Sequence, residues 1–452
     1  MNEHFDLIVL GGGSAARDGA RKAATEHGAK VALVESTRWG GSCPNVACKP
    51  TKAYLVAADL IRDLRILGPT LGLAPPPDRA DLAQIRTWKD SLRKPQEKWV
   101  ADLRGNGFET IDGEATIVDK HTLKVEEREL SGDRILIATG SRTAVPPIDG
   151  LEEAGWIDHV SALELTELPE SLFVLGGGPV GLEFAQAFRR FGSQVTIVQS
   201  NDRISPRSDE DATDALAAAL RDDGIEIVTG TTVERIEDGA AVLADGRHLA
   251  AGRIFLASGR KPNIEALRLD DIGIERHKLG IVVDEHMRTS VEGVWAAGDV
   301  TGMNQFTPIA QYQARIAIKD MFGGNGPAAE YSFLPTAIFT DPELASVGLT
   351  EREAAEQETE YETVIQPVAN VTRSQYVREK NGLYKAVFDR SSRRVLGVHV
   401  VSRNASDVVQ GLSLALRLGA TIDDLAQMHH IYPSWGEGVK AAAEQAKIKV
   451  EA

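Results

Sequence analysis

One pattern of punctuation occurs twice in this chain. Phe5-Asp6-Leu7-Ile8-Val9-Leu10 is an apolar run that ends in Gly11-Gly12-Gly13-Ser14-Ala15-Ala16. Leu172-Phe173-Val174-Leu175 ends in Gly176-Gly177-Gly178-Pro179-Val180-Gly181. Each unit closes with a second apolar run, Val31-Ala32-Leu33-Val34-Glu35 and Val195-Thr196-Ile197-Val198-Gln199. Strand, glycine turn, helix and second strand make a βαβ unit, the building block of dinucleotide-binding folds. A lone G-x-G-x-x-G is a weak signal. Two of them, each between a strand and a helix and each with a polar residue about 20 positions on, restrict the chain to an α/β fold with two dinucleotide sites.

The physical reason lies in the backbone. Small residues at Gly11, Gly13 and Ala16, and at Gly176, Gly178 and Gly181, let the chain approach a pyrophosphate closely. The helix N-terminus that follows supplies unpaired N–H groups and partial positive charge. Glu35 suits a ribose with free hydroxyls, as in the adenosine half of FAD. Gln199 holds the same place in the second unit and lacks the charge that would repel a 2′-phosphate. With Arg203 nearby, it leans toward NADPH over NADH, although a neutral glutamine accepts either.

The only two cysteines, Cys43 and Cys48, lie within Gly40-Gly41-Ser42-Cys43-Pro44-Asn45-Val46-Ala47-Cys48-Lys49-Pro50-Thr51-Lys52, just after the first unit. Two cysteines are too few for a disulfide scaffold, so they read either as a redox pair or as two buried, inert thiols. In a regular helix, residues five apart have Cα atoms roughly 8–9 Å apart. A disulfide needs less than about 7 Å. The segment is therefore not plain helix if the two bond. Pro44 and Pro50 also favour a distorted first turn.

A chain of 452 residues is long enough for about three domains of roughly 150 residues. The net charge of −16 argues against nucleic acid as a partner. No apolar run approaches the roughly 18 residues of a membrane span. Met1-Asn2-Glu3-His4-Phe5 has no basic region before an apolar stretch, so a cytoplasmic location is expected. Residues 68–78, with Pro75-Pro76-Pro77, read as a connection rich in helix breakers. Residues 82–104 read as one amphipathic helix. Ile135 to Gly140 and Ile254 to Gly259 look like equivalent strand-to-loop returns. After about Tyr331 the texture changes. Tyr384 to Phe388 and Val395 to Val401 alternate like antiparallel strands, and 405–418 and 435–447 read as helices, which suggests a C-terminal α+β domain.

Taken together these segments resemble the class I pyridine nucleotide-disulfide oxidoreductases, the flavoproteins that include dihydrolipoamide dehydrogenase, glutathione reductase, mycothione reductase and mercuric reductase. The resemblance covers essentially the whole chain. It rests on the segment from Gly40 to Lys52, on Ala296-Ala297-Gly298-Asp299, on Gly259-Arg260-Lys261-Pro262-Asn263, and on Phe339-Thr340-Asp341-Pro342-Glu343 with Val347-Gly348-Leu349-Thr350. It implies an FAD domain from 1–145 and 261–330, an NAD(P) domain from 146–260, and a dimerisation domain from 331–452.

The resemblance also implies roles. Cys48 is expected to be the sulfur beside the flavin, forming a charge-transfer thiolate, and Cys43 the interchange sulfur that meets the substrate. Lys52 is expected near the flavin, paired with Glu183, and a positive charge there would lower a thiol pKa from about 8.5. FAD is expected at Gly11, Gly13, Ala16, Glu35, Gly41, Lys52, Thr139, Gly140, Asp299 (on the ribityl chain) and Ala310. NAD(P) is expected at Gly176, Gly178, Gly181, Gln199, Arg203 and Gly259. No resident metal is expected. The implied enzyme is a homodimer whose active site combines two subunits, passing electrons from NAD(P)H through flavin to Cys43–Cys48 and on to a small disulfide or thiol-reactive acceptor.

One departure bears on that acceptor. The family carries a His-Pro pair followed by a Glu near the C-terminus, and the His shuttles protons. Here the stretch is His429-His430-Ile431-Tyr432-Pro433-Ser434-Trp435-Gly436-Glu437. Aligned on Pro433 and Glu437, the histidine position holds Tyr432, and His430 falls two residues earlier as a substitute base. An unperturbed tyrosine titrates near 10, so tyrosinate at neutral pH needs a shift of about three units, roughly 4 kcal/mol. Tyr432 is better suited to donate a hydrogen bond, act as an acid or position a ligand. Mercuric reductases share that tyrosine but end in a vicinal cysteine pair. This sequence ends Lys447-Ile448-Lys449-Val450-Glu451-Ala452 with no third cysteine. The N-terminal metal-binding domain that many of them carry is not expected here either, and nor is efficient Hg(II) detoxification. Reduction of a metal ion or quinone, and a flavin-bound redox sensor, remain the alternatives. Trp435 either narrows the substrate entrance or packs.

Overall fold

The computed structural model describes residues 3–324 and 326–451. Met1, Asn2 and Ala452, which the readings of the two termini included, lie outside them. The chain forms two compact units. The first takes the chain up to Pro50, Lys89–Ala144 and Gly259–Glu330; the second takes Thr51–Trp88, Val145–Ser258 and the chain from Tyr331 onward.

The first unit is built on a five-stranded parallel sheet in the order Val294–Ala296, Ile135–Ile137, Leu7–Leu10, Val31–Glu35, Glu109–Asp112. The fingerprint strand is central, and Leu7, Ile8, Val9 and Leu10 are all buried. Such a run carries apolar side chains on both faces because both faces are covered. Helices Ser14–His27 and Thr307–Gly323 share a core with one face, through Ala16, Ala20, Ala314 and Ala317. A four-stranded sheet, Glu3–Phe5, Arg128–Gly132, Thr122–Val125 and Ala115–Asp119, forms a separate layer.

The second unit repeats the plan. Its parallel sheet runs Trp156–Ile157, Arg253–Leu256, Ser171–Leu175, Gln194–Gln199, Glu226–Thr229, again with the fingerprint strand in the middle. It also holds a five-stranded antiparallel sheet ordered Thr336–Ile338, Glu343–Gly348, Val395–Ser402, Leu383–Asp389, Tyr361–Pro367. One core joins the two sheets, with Leu182, Phe184, Phe188 and Phe191 of the helix Pro179–Phe191 against Ile338, Leu344 and Val401. The expected α/β class with a C-terminal α+β portion is therefore the one observed.

Three local expectations are corrected. Phe5 to Leu10 is two strands, because the chain turns at Asp6, whose carboxylate accepts the Lys30 N–H at 2.7 Å. The helix expected over 82–104 is two, Leu82–Ser91 and Gln96–Gly105. Pro95 lacks an N–H and holds Lys94 out of the helical region. The strands from 383 and 395 are antiparallel as expected, but nearly all their residues are buried rather than alternating. The helices Ala405–Arg417 and Glu437–Glu451 are packed with them in the same core.

Candidate active site

Both fingerprints adopt one geometry. Gly11 continues its strand, donating to Val34 O at 2.7 Å, and Gly176 donates to Val198 O at 2.9 Å. Their φ angles are +117° and +112°, and a Cβ on either would sit 2.4 Å from a carbonyl oxygen, of Ala138 or Ala257. Only glycine fits such a position. Ala138 and Ala257 in turn donate to Leu10 O and Leu175 O, each at 2.8 Å, so the two strand returns are equivalent as expected.

The polar residue closing each unit reaches back to the turn. Glu35 Oε2 accepts Gly12 N–H at 2.6 Å, and its Oε1 accepts from Thr37 and Arg38. Gln199 Oε1 accepts Gly177 N–H at 2.8 Å while its amide donates to Asn201 at 2.8 Å. Neither fingerprint helix has a side-chain cap or an acidic residue in its first turn. Their leading N–H groups therefore remain available to an anion, as a dinucleotide pyrophosphate requires. Arg203 is engaged with Asp214 and, at 3.4 Å, with Glu210. Gly178 and Gly259 have open space where a Cβ would stand, whereas a Cβ on Gly181 would strike Gly176 O at 2.0 Å, so Gly181 serves helix-to-strand packing.

Of the remaining FAD candidates, Gly41, Thr139, Gly140, Asp299 and Ala310 fall in the first unit and Lys52 in the second. Ser141 Oγ donates to Asp299 at 2.7 Å, and Arg260 lies 3.4 Å from the same carboxylate. Thr139 Oγ1 donates to Asn263 O at 2.7 Å, and Asn263 N–H returns to Gly140 O at 3.0 Å. A Cβ on Gly298 would lie 3.3 Å from that of Ala310 and 3.5 Å from that of Ala15. A Cβ on Gly41 would lie 2.5 Å from Gly13 Cα. The close approaches at Gly41 and Gly298 leave no room for a side chain there, as close packing of the chain around a dinucleotide requires.

The cysteines sit where the helix breaks. Ser42–Asn45 forms one turn, the chain bends at Val46 and Ala47, and a new helix begins at Cys48 and runs to Ile66. The distorted first turn expected from the prolines is thus present. The two sulfurs are unbonded, Cys43 half-buried and Cys48 exposed. Asn45 pins the turn, donating to Trp39 O at 3.0 Å and Gly41 O at 2.7 Å. Cys48 Sγ and Thr307 Oγ1 share a hydrogen bond of 3.6 Å. The hydrogen bond from Cys48 is the main cause that lowers the Cys43 pKa to about 6, against burial, with help from Thr307, Lys49 and Arg17. Thr307 and Arg17 were not singled out in the sequence. A cation directly after the last small residue of the fingerprint was the available signal for Arg17.

Lys52, on the same helix as Cys48, donates to both oxygens of Glu183, at 2.9 and 2.7 Å, the pairing expected. Glu183 also accepts Phe339 N–H at 3.0 Å, and Lys52 Nζ stands 4.3 Å over the Phe339 ring. The Phe339-Thr340-Asp341 stretch is held by a further side chain of the helix Pro179–Phe191, which carries Glu183: Gln186 exchanges two hydrogen bonds with the Asp341 backbone, at 2.8 and 2.7 Å.

In the C-terminal stretch Tyr432 is 73% exposed. His430 Nε2 is buried without a hydrogen-bond partner. Burial, then Lys440, lowers the His430 pKa, which favours the neutral imidazole. Glu437 accepts Thr372 N–H at 2.6 Å, and its second oxygen is buried and unpartnered. Trp435 packs against the core of the antiparallel sheet, the second of its two expected roles. Among the described residues, no helix is long and apolar enough to cross a membrane, and no three His, Cys, Asp or Glu stand together as a metal site.

Comparison with known proteins agrees with this geometry. Residues 5–314 match the family described as pyridine nucleotide-disulphide oxidoreductase, and residues 334–443 match its dimerisation domain. Mercuric reductase of Staphylococcus aureus is 36% identical, across 97% of this chain and 82% of its own. The probable pyridine nucleotide-disulfide oxidoreductase RclA of Escherichia coli (strain K12) is 32% identical, across 97% and 98%. The solved structure of RclA, titled an HOCl-induced flavoprotein disulfide reductase, superposes with a TM-score of 0.87 at 30% identity, covering 97% of this chain and 99% of its own. A Cu(II) complex of that protein superposes with a TM-score of 0.87 at 29% identity, covering 98% and 100%.

Proposed function

The chain belongs to the pyridine nucleotide-disulphide oxidoreductases, and we propose that it reduces a small disulfide or another thiol-reactive acceptor through the pair Cys43 and Cys48. The observation that carries this reading is the placement of the two cysteines on either side of one helix break, Cys43 in the turn Ser42–Asn45 and Cys48 at the start of the helix to Ile66. FAD, when bound, carries the two electrons from the nicotinamide to the disulfide form of the pair. Residues 1–145 and 261–330 would hold it, 146–260 would hold the nicotinamide nucleotide, and 331–452 would form the subunit interface.

The chain's own chemistry is thiol–disulfide exchange. Cys43 Sγ attacks one acceptor sulfur, forming a mixed disulfide, and the other acceptor sulfur leaves as a thiolate. Cys48 Sγ then attacks Cys43 Sγ, which closes the Cys43–Cys48 bond and expels the second acceptor thiolate. Two electrons pass from the dithiol to the acceptor, and the two protons the cysteines lose balance those its thiolates gain. Tyr432, exposed in its own chain, would reach the site of a second copy as a proton donor, with His430 as the alternative and Glu437 fixing the stretch. Gln199 and Arg203 favour NADPH as the electron source.

An anaerobic acceptor scan with Cys43→Ser tests this. Turnover of the true acceptor is lost in the variant; turnover that survives it contradicts the reading. A metal ion or quinone as acceptor is the second reading. It is favoured by Tyr432 in the histidine position, by the mercuric reductases among the relatives and by the Cu(II) complex of RclA. It predicts saturable metal or quinone reduction far above any disulfide turnover.

A further inference from the structure

Arg17 is a half-buried cation that reaches the cysteine loop at Gly40 and that the reading above does not use. It lies in the first turn of the helix Ser14–His27, and its guanidinium carbon stands 4.5 Å from the ring centroid of Trp99. Lys94 Nζ lies 3.9 Å from the same centroid. The Trp99 ring in turn presses on the cysteine loop, since a Cβ on Gly40 would meet it at 2.7 Å. Arg17 Nη2 donates to Gly40 O at a long 3.5 Å, and its Nε is buried without a partner. Among the described residues it has no carboxylate partner. Its neighbour Asp18 is committed to Arg21, at 2.8 Å, and to Arg315, at 2.5 Å.

A desolvated guanidinium with an unfilled N–H is costly unless an anion completes it. Cys43, three residues beyond Gly40 in the same loop, carries a negative charge when it ionises, and Arg17 is among the charges that favour that form. The groups acting on Cys43 are Cys48 and Lys49 from the next helix, Thr307 from the helix Thr307–Gly323, Arg17 from the fingerprint helix, and burial. Burial alone opposes the thiolate. Tyr432 replaces the histidine that would otherwise remove a proton, so a cation supplied within the chain has a defined task.

We propose that Arg17, held against Trp99, is a positioning residue that keeps Cys43 as a thiolate ready to attack the acceptor. The proton leaves Cys43 for water before the acceptor arrives, so the first exchange step removes none. This inference rests on the reading of Cys43 and Cys48 as the redox pair.

The test is the rate of Cys43 carboxamidomethylation by iodoacetamide in the reduced, FAD-loaded protein, from pH ~5 to ~9, with the modified peptide quantified by mass spectrometry. Arg17→Met moves the midpoint up; for one pKa unit the reaction slows roughly tenfold at pH ~5, on the acid side of the midpoint, and about twofold at pH ~7. Arg17→Lys stays within about threefold of the parent protein, because charge is retained. Trp99→Leu moves the midpoint the same way by less, since the cation stays but its support is lost. An unmoved midpoint in Arg17→Met overturns the proposal. If FAD is lost while the midpoint holds, Arg17 serves the pyrophosphate instead. Should Arg17→Met fail to fold, an unmoved midpoint in Trp99→Leu overturns it equally. Thiol counting separates the two claims. If nicotinamide reduction exposes no new thiols, the redox reading fails; if it exposes two and the midpoint is unmoved, only the role of Arg17 fails.

Discussion

Lys52 and Glu183 form a two-pronged ion pair, 2.9 and 2.7 Å, in which the carboxylate is nearly buried and the ammonium about one-third exposed, at 35%. Because Glu183 also accepts the Phe339 N–H, one carboxylate fixes both a lysine on the redox helix and the first residue of the Phe339-Thr340-Asp341 stretch. Glu183→Gln keeps an acceptor for Phe339 but removes the charge. The partial exposure of Lys52 places the cost between the surface and buried limits, about 1–3 kcal/mol. Urea unfolding measures that loss, and turnover is expected to fall by more than the stability change accounts for. Unchanged turnover would remove Lys52 and Glu183 from the site.

The second fingerprint separates folding glycines from binding ones. Gly176→Ala places a Cβ 2.4 Å from Ala257 O at a φ of +112°, so destabilisation on the order of a few kcal/mol is expected. Gly178→Ala meets nothing within 4 Å. It should melt with the parent protein yet raise the KM for the nicotinamide nucleotide about tenfold, because the methyl stands where a pyrophosphate must approach. A normal KM in Gly178→Ala would place the nucleotide elsewhere.

The lean toward NADPH rests on a neutral residue at 199. Gln199→Glu can still accept the Gly177 N–H, but it loses the bond to Asn201 and adds a negative charge near any 2′-phosphate. The ratio of kcat/KM for NADPH over NADH should fall roughly tenfold or more, with NADH use within a few-fold. Equal changes for both would mean that Gln199 does not read the 2′ position.

Glu379 gives the stability a pH dependence. Burial first, then the negative Asp341, raises its carboxyl to about 7, against the pull of Arg62 and the neighbouring arginines. In the unfolded chain a glutamate titrates near 4.3, so between these values only the folded state holds the proton. Its contribution is complete below about pH 4.3 and is lost as pH rises through about 7. The stability difference between Glu379→Gln and the parent should therefore shift in favour of the variant on going from pH ~5 to ~8, on the order of 1.4 kcal/mol for each unit of pKa shift. Urea midpoints at the two pH values measure it, and a constant difference would contradict the assignment.

What the sequence made legible follows from where the constraints are local. Gly11 and Gly176 could be read because a backbone contact a few atoms away forbids any other residue. The Lys52–Glu183 pair came only with the resemblance, since 131 residues separate the two along the chain. The break between Leu82–Ser91 and Gln96–Gly105 was signalled by Pro95, yet the amphipathic spacing on both sides suggested continuity. Burial on both faces of Leu383–Asp389 depends on which helices cover it, which no strand pattern states. The stacking of Arg17 on Trp99 joins a helix turn to a segment far along the chain, so neither residue announces the other.

The central claim is that Cys43 and Cys48 cycle between dithiol and disulfide under nicotinamide control. Anaerobic counting of thiols in the unfolded protein, before and after one equivalent of NADPH or NADH is added to the oxidised holoprotein, tests it most directly. The account predicts a gain of two thiols per chain, abolished in Cys43→Ser. Reduction of the flavin with no gain in thiols would contradict it.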